Sequence, residues 1–213
     1  MSSGNVTSRV VSPARTDTNA LAETIAAAFH PLAPSRYLVP DPQKRHYVLP
    51  LAFQLDVIDT FEHGTAVALD DNSAVALWIS HGEQADPEPT HDPRIAAIAG
   101  RETAERYHTF YQALHKHHPT GHAHDHLAIL AVRPDQQHRG FGSTLLDFHH
   151  AYLDAVGMPA YLEAASLRLK AFYRRHGYVE LDAPIILPDG TQMHPMWREP
   201  LSSDGLPPTN GDA

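Results

Sequence analysis

No cysteine occurs among the 213 residues of the chain. That excludes disulfides, thiolate metal sites and a cysteine nucleophile. No apolar run approaches the roughly 20 residues that a membrane helix needs. The N-terminal MSSGNVTSRVVSPAR has no apolar core of signal-peptide length. Positive charge is scarce: 16 Lys and Arg stand against 25 Asp and Glu, a formal net charge of −9. A diffusely acidic chain is a poor partner for nucleic acid, because that binding runs on Lys and Arg neutralising phosphates. The absences point to a soluble, cytoplasmic protein with no nucleic-acid or membrane partner. Such a chain suits neutral or cationic small molecules.

What is present in excess is histidine, 17 in all, with seven between His108 and His126. We read HKHHPTGHAHDH as a solvated loop between a helix and a strand. Dense histidine alone fixes no coordination geometry, so the expectation is no metal. Hydrophobic content of 42% is ordinary for a domain with a sizeable core. The length suits one domain over 1–200, followed by a Pro/Gly/Ser-rich tail over 201–213 that reads as disordered.

Along the chain, Asn5 to Val11 reads as a first strand. TDTNALAETIAAAFH reads as an amphipathic helix, and PLAPSRYLVPDP as a Pro-broken loop. A second helix is predicted over Tyr47 to Phe61, despite Pro50. TAVALDDNSAVALWIS carries a hairpin signal. An acidic, Pro-rich loop follows, then one or two helices over PRIAAIAGRETAERYHTFYQALHKHH. HLAILAVRP is apolar on both faces, which predicts a central strand. Further alternation ends in two strand candidates, GYVELDAPIIL and TQMHPMWREP. The fold class is α/β, an α+β arrangement on one mixed sheet.

Between the central strand and the next helix stands QQHRGFGSTLL. A helix start leaves backbone N–H groups unpaired and favours negative charge. Gly140 and Gly142 let an anion approach the backbone, and Gln137, Arg139 and Ser143 add donors. The physics specifies phosphate or pyrophosphate. A Walker loop would need a lysine after the glycine, and a dinucleotide fingerprint would need a third glycine where Leu145 stands.

The remaining pattern, Gln137-x-x-Gly140-x-Gly142 after Leu130-Ala131-Val132, resembles the coenzyme-A loop of the GNAT superfamily of acyl-CoA-dependent N-acyltransferases. The resemblance continues through YLEAASLRLKAFYRRHGYVE, where Tyr173 stands five residues before Tyr178 and Gly177 precedes the latter. From Gly64 to Pro200 the chain resembles puromycin N-acetyltransferase and its relatives. Members often carry Asn seven residues before the tyrosine; Ser166 stands there instead, which puts nearby contacts to the pantetheine arm in doubt.

The resemblance implies a single domain with a mixed, mostly antiparallel sheet, flanked by helices and splayed at the acyl-CoA site. It implies acetyl-CoA as co-substrate and direct transfer to an amine in a ternary complex. Leu130, Ala131, Val132, Gln137, His138, Arg139, Gly140, Phe141, Gly142, Ser143, Ser166, Lys170 and Tyr173 would hold it. Tyr173 would stand beside the sulfur and protonate the departing thiolate.

The base is open between His126 and Glu163. Strand alternation puts His126, Ala128, Leu130 and Val132 on one face. The acceptor pocket is expected from the first two helices and their connection, Phe29 to Phe61, with Trp78 and the last hairpin. Tyr37, Tyr47, Phe53 and Trp78 would offer aromatic walls. A small-molecule amine is the expected acceptor; a protein N-terminus or lysine, and a non-catalytic acyl-CoA sensor, are the alternatives. Superfamily members are commonly dimers, and no dimer interface is legible.

Overall fold

The computed structural model describes residues 9–201. The chain opens with a two-residue strand β1 (Val10–Val11), followed by helices α1 (Thr18–Phe29), α2 (Ala33–Leu38) and α3 (Pro42–His63). Then come strands β2 (Gly64–Leu69) and β3 (Ala74–His81), and helices α4 (Pro93–Ala99) and α5 (Arg101–His117). The second half alternates: β4 (His124–Val132), α6 (Phe141–Val156), β5 (Ala160–Ala164) and α7 (Leu167–Arg174). It closes with β6 (Val179–Glu180), β7 (Ile185–Ile186) and β8 (Gln192–Arg198).

The sheet order is β1-β2-β3-β4-β5-β8-β6, with β7 also on β8. Every pair is antiparallel except β4 with β5. That parallel pair is short, Asp125 opposite Ala160 and His126 opposite Tyr161, after which the two strands separate. The mostly antiparallel sheet is as the resemblance implies, and the central position of the LAILAV strand is as its two apolar faces predict.

Two apolar layers sandwich the sheet. On one face, α1 brings Leu21 and Ile25 against Ile129 and Ala131 of β4. On the other, α6 brings Leu145, Leu146 and Leu153 against Leu127 and Leu162. Each helix presents an apolar stripe of the kind period 3.6 produces. Burying one such Leu stabilises by about 1.5–3 kcal/mol.

Several elements differ from expectation. Among the described residues the first strand keeps only Val10 and Val11; Asn5 to Ser8 lie outside them, as does the 201–213 tail beyond Leu201. PLAPSRYLVPDP contains α2, because Pro34 sits in the first turn, where a missing N–H costs nothing. The helix expected over Tyr47 to Phe61 begins five residues earlier, at Pro42, capped by Asp41, whose carboxylate accepts from the Gln43 and Lys44 N–H groups. It runs through Pro50. The helical stretch before the histidine-rich tract, expected as one or two helices, is two, divided at Gly100, which has φ 81°.

The histidine tract is not one solvated loop. His115 and His117 finish α5, while His124 and Asp125 are buried at the start of β4. Only residues 118–123 connect them.

Candidate active site

The glycine turn closes tightly. Gly140 has φ 85°, the left-handed region, and caps α6. A side chain there would be strained, yet a Cβ would meet nothing within 4 Å, so the conformation and not the packing selects glycine. Gly142 faces Phe172, Val132 and Leu130, with a Cβ 3.5–3.8 Å from their nearest atoms. That is ordinary contact, so the protein itself would accept alanine there. His138 also has positive φ, 63°.

The polar side chains of the turn are already engaged. The Gln137 amide donates to the Val132 carbonyl at 3.1 Å, tying the turn to the end of β4. Arg139 donates to Gln136 and stacks its guanidinium on the Phe141 ring, 4.9 Å from the centroid. Ser143 Oγ lies 3.0 Å from His176 Nε2, whose Nδ1 in turn lies 3.3 Å from Asp147. Nothing in the sequence pattern pointed to His176. Ser166 caps α7, accepting from the Leu169 N–H at 3.2 Å, and Lys170 pairs with Glu180 at 2.9 Å. The turn, the free start of α6 and the open space over Gly140 fit a pyrophosphate.

Tyr173 is buried on α7, its ring 5.2 Å from Phe172 and 5.7 Å from Tyr178. Burial raises its pKa well above the ordinary phenol value, so it is protonated at neutral pH. It packs with Leu162 and Ala164, on the α6 face of the sheet.

His126 and Glu163 meet. His126 Nε2 lies 2.8 Å from Glu163 Oε2, with side-chain exposures of 14% and 5%. Burial works to raise the Glu163 pKa, but the adjacent His126 and the hydrogen bond from its Nε2 outweigh it and hold the carboxyl below its usual value. An ionised Glu163 makes Nε2 the protonated nitrogen and leaves the lone pair on Nδ1.

The face assignment from simple alternation fails. Leu77 of β3 pairs with Ile129 and Trp78 with Leu127, so Ala128 is an extra residue. This β-bulge re-phases the strand. Leu127 joins Leu130 and Val132 on the α6 face, and Ala128 is exposed. His126 points the other way, since its neighbour Asp125 reaches His149 on α6 at 2.9 Å. Tyr173 and the His126–Glu163 pair therefore approach the parting of β4 and β5 from opposite faces.

Around His126 stand more aromatic and imidazole rings: Tyr161 at 5.2 Å, His118 at 5.2 Å and His81 at 5.7 Å between centroids. Burial, then the nearby His126 and His81, lower His118 to about 4. Burial, then the Glu163 charge, raise Tyr161.

The expected acceptor walls are corrected in part. Trp78 is fully buried and stacks on His149 at 4.2 Å, on the α6 side of the sheet. Tyr47 is 73% exposed, while Tyr37 and Phe53 belong to the core. A cavity of about 300 Å³ opens between α3, α4 and α5, lined by Asp56, Asp59, Asp92, Arg94, Tyr107 and Tyr111 among others. None of Tyr173, His126 and Glu163 lines it.

Residues 97–180 match the acetyltransferase (GNAT) domain family. The fold is similar to the Corynebacterium glutamicum histone acetyltransferase HPA2 and related acetyltransferase, with 25% identity and a TM-score of 0.69, covering 96% of this chain and 99% of that one. The Thermoplasma acidophilum PaiA N-acetyltransferase, solved in complex with coenzyme A, gives 10% identity and a TM-score of 0.56 over 91% and 99%. The Aedes aegypti arylalkylamine N-acetyltransferase 2 gives 13% identity and 0.56 over 90% and 98%. The chain thus has the single-domain α/β GNAT fold. The match over 97–180 and the shared fold support an acyl-CoA-dependent N-acetyltransferase. Among the described residues no helix is long and apolar enough to cross a membrane.

Proposed function

We propose that the protein, through a domain spanning 1–200, transfers an acetyl group from acetyl-CoA to the primary amine of a small molecule. The observation that carries this reading is the buried His126–Glu163 pair where β4 and β5 part, with protonated Tyr173 on the opposite face.

Acetyl-CoA supplies a thioester acyl donor. The α6 N-terminus with Gly140, Phe141, Gly142 and Ser143 holds its pyrophosphate, and Gln137, His138 and Arg139 shape the turn around it. The β4 backbone over Leu130, Ala131 and Val132 pairs with β3 on one side and lies beyond the β4–β5 pairing on the other, where its outward groups would bond the pantetheine arm beside the Val132 carbonyl that Gln137 holds. Ser166 and Lys170 border that path from α7.

An amine must lose a proton as it attacks, and a thiolate must gain one as it leaves. Nδ1 of His126 takes the first proton, with Glu163 stabilising the resulting imidazolium. The Tyr173 hydroxyl supplies the second. No covalent carrier is needed, which suits a chain without cysteine.

The resemblance to puromycin N-acetyltransferase supports a small amine, an antibiotic or secondary metabolite, modified in the cytoplasm. The arylalkylamine enzyme of the same fold is a precedent for small amines. The test follows thiol release from acetyl-CoA against a panel of small amines, puromycin first. The protein contributes no thiol of its own, so only released CoA is read. Release with one amine and not the others supports the reading. No release with any, while acetyl-CoA still raises the melting temperature, would move the acceptor to a protein or leave an acyl-CoA sensor.

A further inference from the structure

The fold gathers three rings from three elements: His81 at the end of β3, His118 just after α5, and His126 near the start of β4. One ligand atom from each lies within 4.8 Å of the other two. The centroids are 4.4 Å apart for His81 and His118, 5.2 Å for His118 and His126, and 5.7 Å for His81 and His126.

The polar atoms here are buried and short of partners. Nε2 of His81, Nε2 of His118 and Oε1 of Glu163 are all buried without a hydrogen bond. The Tyr161 hydroxyl lies beside Glu163 with no well-aligned bond of its own. Buried polar atoms are normally paired, each unpaired one costing about 1–3 kcal/mol. Four in one place call for something that satisfies several at once.

Two of the rings are also held in a manner typical of metal ligands. The Asp86 carboxylate lies 2.5 Å from Nδ1 of His81, and the Glu163 carboxylate 2.8 Å from Nε2 of His126. A carboxylate on one ring nitrogen fixes the tautomer and leaves the other nitrogen's lone pair for an ion. His81 shows this directly, with Asp86 on one nitrogen and a buried, unpartnered Nε2 on the other.

We propose that His81, His118 and His126 bind a divalent transition-metal ion of the zinc class, with Asp86 and Glu163 as carboxylate partners behind two of the ligands. Three imidazoles and an open fourth position suit Zn²⁺, Co²⁺ or Ni²⁺ and not Mg²⁺ or Ca²⁺, which take oxygen ligands. Metal–nitrogen bonds of about 2.0–2.1 Å require the ligand atoms to draw in by roughly 1 Å or more. His118 caps the end of α5 and opens the 118–123 connection to β4, outside the hydrogen-bonded body of either element.

The ion would occupy the lone pair that accepts the amine proton, so it would silence transfer. That consequence rests on the proposed function, whereas binding itself does not.

The experiment uses the untagged full chain, stripped with chelator, and Co²⁺ as a visible-absorbing probe. The expected result is one equivalent of Co²⁺ bound with a tetrahedral-type spectrum, displaced by Zn²⁺. His118→Ala and His81→Ala should each weaken binding by about 100-fold or more, with an unchanged circular dichroism spectrum. His118→Asn serves if the alanine variant fails to fold. The surface control His91→Ala should bind as the parent does.

Absence of stoichiometric Co²⁺ binding, or binding that survives both His81→Ala and His118→Ala, would overturn the site. In the second case the metal sits on surface histidines. Thiol-release assays with and without Zn²⁺ separate the two ideas. Stoichiometric binding without inhibition leaves the metal site standing and removes His126 as proton acceptor. Inhibition that disappears in His118→Ala supports both.

Discussion

Glu163 and His126 stand 37 residues apart in the chain and 2.8 Å apart in space. Removing either leaves the other buried without its partner, so the pair should behave as a unit. Glu163→Gln and His126→Gln are each expected to lower kcat about 100-fold, within the range of general acid–base catalysis. The double variant should be little worse than either single one, which steady-state kinetics would show. Tyr173→Phe tests the other side of the reaction. The phenol has one hydroxyl to lose and a ring that keeps its packing against Phe172 and Tyr178. Turnover should fall about 10- to 100-fold while acetyl-CoA binding, measured by calorimetry, stays within a factor of two or so. Full turnover in this variant would remove the role proposed for the tyrosine.

At the scale of the element, the glycine turn and the β4 bulge shape the site. Gly142 would accept a Cβ, but the larger Val would drive methyl groups toward Phe172 or into the space proposed for pyrophosphate. Gly142→Val should therefore abolish the acetyl-CoA-induced rise in melting temperature while leaving the free protein folded. Gly140→Ala acts through backbone strain at φ 85° and should cost about 1–2 kcal/mol in denaturant unfolding. The bulge at Ala128 sends His126 to the face opposite Leu130 and Val132. Its extra residue follows from pairing with β3, and no local pattern in LAILAV announces it.

At the scale of the whole molecule, the cavity between α3, α4 and α5 gathers Asp56, Asp59 and Asp92 around Arg94. Asp56 is pushed up to about 7, first by burial and then by Asp59, with Asp92 adding to the rise and Arg94 and the Tyr111 hydroxyl opposing it. Tyr107 and His108 also line the cavity. A carboxyl whose folded pKa lies above its unfolded value stabilises the fold when protonated. That contribution is complete below about pH 4 and is lost as pH rises through about 7. Asp56→Asn should therefore raise the melting temperature at pH 8 relative to the parent and make little difference at pH 4. Thermal unfolding at the two pH values checks the sign.

Local chemistry made much of this protein legible in its sequence. The hairpin around Asp70-Asp71-Asn72-Ser73, the central apolar strand, the glycine turn and the helix bearing Tyr173 are each written in adjacent residues. Turn propensity, burial pattern and helix-start electrostatics act over a few positions, so a linear reading reaches them. Helix α2 escaped because Pro reads as a breaker unless its place in the first turn is known. Trp78 escaped because an aromatic residue on a central strand can face either layer, and only packing against His149 shows which.

The candidate base was legible as two names, His126 and Glu163, and not as a pair. Their meeting depends on the parallel register of β4 and β5, and their place opposite Leu130 and Val132 on the bulge, both decided by contacts far apart in the chain. The same holds for His81, His118 and His126. The sequence shows a run of histidines, but the adjoining ends of β3 and β4 and the end of α5 bring two of them, His118 and His126, to one point with the distant His81, because coordination geometry belongs to space and not to spacing along the chain.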